Sequence, residues 1–155
     1  EALIKINAIA SADARMIGMA VGGEDLATDL DAEPTADSLY VSKMMGIHAA
    51  RAAGILPIGV VASVANVTGL DQYQAMLTRS RSLGFAAATC VHPSHVPLIN
   101  DTYGPRPAEI ERAKRMVEAY EQAERQGLGA ILFEGSMIDL PVITRARRLL
   151  NLEKA

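Results

Sequence analysis

Two kinds of segment alternate along this chain, and that alternation constrains its fold more than any other feature. Short apolar runs take turns with longer stretches whose apolar residues recur every three or four positions. "RMIGMAVGG", "ILPIGVVASV" and "FAAATCVHP" are the short runs. They are nearly continuous in apolar character, as strands covered on both faces are. The longer stretches read as helices. "EALIKINAIASA" carries Leu3, Ile6, Ile9 and Ala10 at helical spacing. "TADSLYVSKMMGIHAARAAG" has Thr35 or Asp37 as an N-cap and Gly54 as a terminator. "GLDQYQAMLTRSRSLG" closes on Gly84. The order predicts an α/β fold with a parallel sheet.

The last third of the chain changes character. "PRPAEIERAKRMVEAYEQAERQG" places Ile110, Ala113, Val117, Tyr120 and Ala123 on one helical stripe, with Pro107 near its start and Gly127 at its end. "GAILFEGSMID" reads as a hairpin turning at Glu134-Gly135, and "PVITRARRLLN" as a helix begun by Pro141. Linker-like composition occurs at "NDTYGPRP", residues 100–107. The expected division is therefore an α/β part over 1–103 and an extension of helix, hairpin and helix over 104–155.

In parallel α/β folds ligands meet the C-terminal ends of strands. That points to Gly22–Asp25 after the first strand, Ala62–Asn66 after the second and His92 after the third. Three strands are too few for a closed (β/α)8 barrel, which takes about 250 residues. The chain is either a small open sheet or the later part of a barrel.

Composition narrows the function classes. The chain has 155 residues, half of them hydrophobic, which is enough for a core. Its net charge of −3 argues against a nucleic-acid surface, which needs a basic face. Few aromatics and no Trp leave no stacking platform for single strands. Cys90 is the sole cysteine, so no internal disulfide forms, and a reducing, cytoplasmic setting is expected. No apolar run approaches the ~20 residues of a membrane span. No signal-peptide pattern opens the sequence, and its opening reads as mid-helix, which predicts chain upstream.

Asp25 is the first chemical candidate. A carboxylate in a Gly-rich turn at a strand end suits a hard cation such as Mg²⁺. The glycines let backbone N–H groups approach an anion. The same residue also reads as a solvated cap. His92 and Asp139 have structural readings as well: a hydrogen-bonded strand exit for the first, an N-cap before Pro141 for the second. The three histidines lack zinc-ligand spacing, and no dinucleotide or P-loop motif is present.

"GGEDLATDL", "AARAAGILPIG", "SRSLGFAAATCVHPSHVPLIN", "PRPAEIERAKRMVEAYEQAERQGLGA" and "GSMIDLPVITRARRLL", taken together and in order, resemble the citrate lyase β-subunit-like family. That family belongs to the HpcH/HpaI aldolase superfamily and includes malyl-CoA and citramalyl-CoA lyases. The resemblance implies the later part of a TIM barrel, about three strands with their helices, plus a C-terminal extension packed on a neighbouring subunit of a trimer or hexamer. It implies Asp25 as an Mg²⁺ ligand. Gly22, Gly23 and Glu24 become the turn that holds a substrate carboxylate. His92 and Pro93 become a turn near the CoA channel, and Asp139 a catalytic acid/base. A second metal carboxylate and a substrate arginine would lie upstream of Glu1. Where the family often reads "DGVY", this chain has "IGVV".

The implied reaction is Mg²⁺-dependent carbon–carbon cleavage of a 3-hydroxyacyl-CoA to an acyl-CoA and a 2-oxo acid. A CoA-independent class II aldolase is the alternative on the same barrel. A catalytically incomplete fragment, or a subunit that needs a partner, is the alternative outside enzymes.

Overall fold

The computed structural model describes residues 1–63, 69–104 and 106–152. The chain divides into two compact units, Glu1–Tyr103 and Gly104–Ala155.

The first unit opens with α1 (Ile6–Ala10), followed by β1 (Gly18–Met19), α2 (Gly23–Asp29), α3 (Ala36–Ala52), β2 (Leu56–Pro57), α4 (Leu70–Leu83), a 3₁₀ turn over Pro93–His95 and α5 (Val96–Tyr103). β1 and β2 pair in parallel, Gly18 opposite Leu56 and Met19 opposite Pro57. The predicted third strand is reduced to one parallel bridge between Ile58 and Ala87. The Gly59 N–H donates to the Ala87 carbonyl and the Ala86 N–H to the Pro57 carbonyl, both at 2.9 Å. The order of the parallel segments is the expected one, but the third falls short of a strand. Its "AAA" run has little β preference and few side-chain atoms to pack against a neighbour.

The helices follow their local signals. Thr35 caps α3 in a reciprocal capping box with Ser38. Gly54 follows α3 at φ +74° and Gly84 ends α4 at φ +113°, backbone positions that a side chain would strain. The buried stripe of α3 holds Leu39, Ser42, Lys43, Gly46, Ile47 and Ala50. Gly46 lets it sit against Val21, just after β1, since a Cβ there would come 2.7 Å from Val21 Cγ2. On α4 the fully buried Ser80 hydroxyl donates to the Met76 carbonyl at 2.7 Å and accepts the Val61 N–H at 2.9 Å. It thereby fixes the chain leaving β2 and satisfies the buried Val61 N–H.

Two further expectations are corrected. The linker expected at 100–107 begins inside a helix, because α5 runs to Tyr103. Pro97 fits the first turn of α5, and Leu98, Ile99 and Tyr103 pack against the Val60–Tyr73–Leu77 cluster. The Gly-rich turn expected at Gly22–Asp25 is the start of helix α2. Of the segment placed at the second strand's end, Ala62–Asn66, the residues after Ser63 lie outside the described residues.

The second unit contains α6 (Pro107–Glu124), β3 (Ala130–Phe133), β4 (Ser136–Asp139) and α7 (Leu140–Leu152). β3 and β4 form the expected hairpin, in register from Ala130–Asp139 to Phe133–Ser136. Its turn residues Glu134 and Gly135 both have positive φ, 48° and 80°, the signature of a type I′ turn. Arg112 and Arg115 of α6 grip the Glu134 carboxylate at 2.7 and 2.9 Å, which holds it below the usual carboxylate range. Ala113, Met116, Tyr120, Ile138, Ile143 and Ala146 form the core between α6, the hairpin and α7.

Candidate functional site

The "GGED" segment stands where β1 ends and α2 begins. Gly22 is the N-cap of α2, with extended backbone, and Gly23, Glu24 and Asp25 are its first three residues. Two carboxylates in a first turn are favoured by the partial positive charge of the helix start. Asp25 is exposed and folds back over Gly22. An ideal Cβ on Gly22 would lie 3.1 Å from Asp25 Oδ2, so a side chain there would displace the carboxylate. Glu24 points elsewhere and accepts a hydrogen bond from the Ser63 hydroxyl.

The three parallel segments converge here. Gly22, Gly23 and Glu24 line a cavity of about 160 Å³ together with Lys43, Gly59, Ser63 and Thr89. Asp25 lines an adjoining hollow of about 250 Å³ with Leu3, Ile6, Met19, Leu26 and Asp29. The turn is thus a wall shared by two recesses, with Val21 and Gly22 lining both.

Lys43 was not singled out from the sequence, and Ser63 was covered only as part of the Ala62–Asn66 strand end, yet both reach the start of α2. Lys43 is 5% exposed, and its ammonium donates to the Val21 carbonyl at 2.6 Å. Burial pulls its pKa below the ordinary lysine value. A signal for it existed: Lys43 stands four residues from both Leu39 and Ile47, on the apolar stripe of α3.

His92 and Pro93 lie outside the residues that line the cavity. His92 is exposed and caps the 3₁₀ turn that Pro93 begins. Its Nδ1 accepts the Ser94 N–H at 3.2 Å and lies 2.7 Å from the Ser94 hydroxyl. A neutral ring then carries its proton on Nε2. Asp139 belongs to the second unit. It is half-buried at the end of β4, and its Oδ1 accepts the Val142 N–H at 3.4 Å, a long capping bond at the start of α7.

Among the described residues, no three His, Cys, Asp or Glu side chains gather as a metal site. Asp25 offers one exposed, hard anionic oxygen donor. That donor chemistry fits a cation held by one or two protein carboxylates and completed by water and substrate oxygens.

A model of the HpcH/HpaI aldolase/citrate lyase family matches residues 1–93, which contain β1, β2 and the whole Gly22–Asp25 helix start. The chain belongs to that family. Among its relatives is the citrate lyase subunit beta of Haemophilus influenzae, 36% identical over 156 residues, covering 99% of this chain and 53% of the relative. Another is the (3S)-malyl-CoA thioesterase of Cereibacter sphaeroides, 34% identical over 143 residues, covering 90% of this chain and 49% of the relative. The fold is similar to that of CitE from Mycobacterium tuberculosis, solved in complex with magnesium, acetoacetate and coenzyme A. The TM-score is 0.79 at 28% identity, over 99% of this chain and 58% of that one. This member of the HpcH/HpaI family spans about half the length of the curated relatives it matches. No helix among the described residues is long and apolar enough to cross a membrane.

Proposed function

We propose that this chain is the later part of a (β/α)8-barrel lyase, with a C-terminal extension, that cleaves a 3-hydroxyacyl-CoA to an acyl-CoA and a 2-oxo acid. The observation that carries the reading is the Gly22–Asp25 helix start, set where parallel segments end, with the Asp25 carboxylate exposed beside backbone N–H groups. The relative length of the matched proteins and the likeness to CitE support the rest.

Asp25 would hold Mg²⁺, which when bound supplies Lewis-acid stabilisation of negative charge on a substrate oxygen. The Gly22 and Gly23 backbone receives the carboxylate of the substrate and orients it, so the reacting bond is held in one geometry. His92 and Pro93 stand at the exit of the third segment, on the acyl-CoA side. In cleavage the 3-hydroxyl loses its proton and its carbon becomes the carbonyl of the 2-oxo acid. The pair from the broken carbon–carbon bond passes to the thioester enolate, which takes up a proton to give the acyl-CoA. Asp139 is assigned the proton transfer, delivered from the extension of a neighbouring subunit in a homotrimer or hexamer. The outward face of the hairpin supports that packing: Leu132 and Met137 are paired across the strands and 76% and 73% exposed.

A second reading is hydrolysis of the malyl-CoA thioester, favoured by the identity to a (3S)-malyl-CoA thioesterase. One assay separates the two. Full-length protein is given malyl-CoA or citramalyl-CoA, with Mg²⁺ or with chelator, and both products are identified. A 2-oxo acid with acyl-CoA, falling at least 100-fold with chelator or in Asp25→Ala, supports the lyase. Free hydroxy acid with CoA would move the protein to thioester hydrolysis. Cleavage indifferent to Asp25→Ala would overturn the ligand role.

A further inference from the structure

Lys43 is the unusual residue of this unit. An ammonium is rarely buried unless a carboxylate accompanies it. Here the side chain lies on the apolar stripe of α3, and its hydrogen-bond partner is a neutral oxygen, the Val21 carbonyl at 2.6 Å. Among the described residues no carboxylate is within ion-pair distance of it. Glu24, the acidic side chain lining the same cavity, is engaged by Ser63 instead. Lys43 Nζ also lies 3.6 Å from where a Cβ on Gly23 would sit, so the ammonium stands directly beneath the turn.

The Val21–Gly22 peptide is trans. In a planar trans peptide the C=O and N–H point in opposite directions. With the Val21 carbonyl held toward Lys43, the Gly22 N–H is turned away from α3. Asp25 folds over Gly22, so its carboxylate shares this turn. A charge-assisted hydrogen bond on the carbonyl also polarises the amide, making its N–H a stronger donor. We propose that Lys43 is a positioning residue: through the Val21–Gly22 peptide it orients the Gly22 N–H and strengthens it toward the carboxylate of a 2-oxo acid. This rests on the lyase reading for the identity of the ligand, and adds the residue that sets the turn.

The test uses full-length wild-type protein, Lys43→Met and Lys43→Arg, with pyruvate as the probe and hydroxyacetone as its counterpart without a carboxylate, both in chelator. Binding is measured by calorimetry, and hydrogen–deuterium exchange is followed over residues 20–24. Pyruvate slows exchange of that segment in the wild type, hydroxyacetone does not, Lys43→Met weakens pyruvate at least tenfold, and Lys43→Arg stays within about threefold. Wild-type affinity in Lys43→Met overturns the assignment. So does pyruvate binding that leaves exchange at 20–24 unchanged, a result readable even if Lys43→Met does not fold. Acyl-CoA cleavage by the same wild-type protein is read in parallel. Cleavage with an indifferent Lys43→Met refutes the role of Lys43 alone. Pyruvate protection without cleavage of any acyl-CoA refutes the lyase reading alone.

Discussion

Asp139 is a helix cap in the structure and the proposed proton-transfer group, and substitution can divide the two. As a cap it offers Oδ1 to the Val142 N–H at 3.4 Å. Removing an N-cap costs about 0.5–2 kcal/mol, and so long a bond belongs at the lower end, roughly 0.5–1 kcal/mol. As the group that moves a proton it would contribute about 10²–10⁴-fold. At 1.36 kcal/mol per decade that is about 3–5 kcal/mol of barrier, several times its effect on stability. Asp139→Asn keeps an oxygen for Val142 and removes the ionisable group, losing at most the ~0.3–1 kcal/mol of charge–dipole attraction at the start of α7. Asp139→Ala loses the cap as well. Both variants are expected to lose at least 100-fold in kcat for acyl-CoA cleavage, while a urea titration separates them by the cap alone. Asp139→Asn with kcat within threefold of wild type would refute the proton-transfer role and leave the residue as a cap.

Two further perturbations test the packing behind the site. Gly46→Ala would gain about 1 kcal/mol of helix propensity on an exposed helix, but its Cβ falls 2.7 Å from Val21 Cγ2, on a β-branched side chain with little freedom to turn. Overpacking of about 1–3 kcal/mol should outweigh the gain, so thermal unfolding shifts down; an upward shift would contradict the close approach of α3 to Val21. Burial, with the neighbouring Tyr73 phenolate adding to it and Arg81 opposing, pushes the Tyr103 hydroxyl up to about 12. A group raised in the folded state lends stability that is complete below its unfolded value near 10 and lost as pH rises toward 12. An ultraviolet titration should therefore show a tyrosine ionising near pH 12 that disappears in Tyr103→Phe, and loss of that step at pH 10 instead would refute the burial.

Much of the fold was legible because it rests on local rules. The stripes of α3, α4, α6 and α7, the Thr35 cap, the Gly54 and Gly84 terminators and the Glu134-Gly135 turn are each read within a few residues. Two helices escaped because their composition imitates turns. α2 starts within a glycine pair, and its Leu26 and Ala27, with Leu30 just past its end, were overshadowed by the aspartates around them. α5 holds Pro97, Asn100 and Asp101, yet its Leu98, Ile99 and Tyr103 find the α4 cluster and bury. At the site, the exposed carboxylate, the glycines and the strand end that holds Ser63 were visible, and Lys43 was not.

By itself the sequence determined the periodicities, the punctuation and the family-like "GGED", "VHP" and "GSMID" segments, since these depend on neighbours along the chain. The tertiary structure decided what depends on neighbours in space. It reduced the third strand to a single bridge, because pairing needs a partner's hydrogen bonds and not only an apolar run. It aimed Glu24 at Ser63, 39 residues away, and left Asp25 open. It also carried the Lys43 ammonium under Val21, 22 residues away, where helix packing removes it from water and a backbone carbonyl receives it.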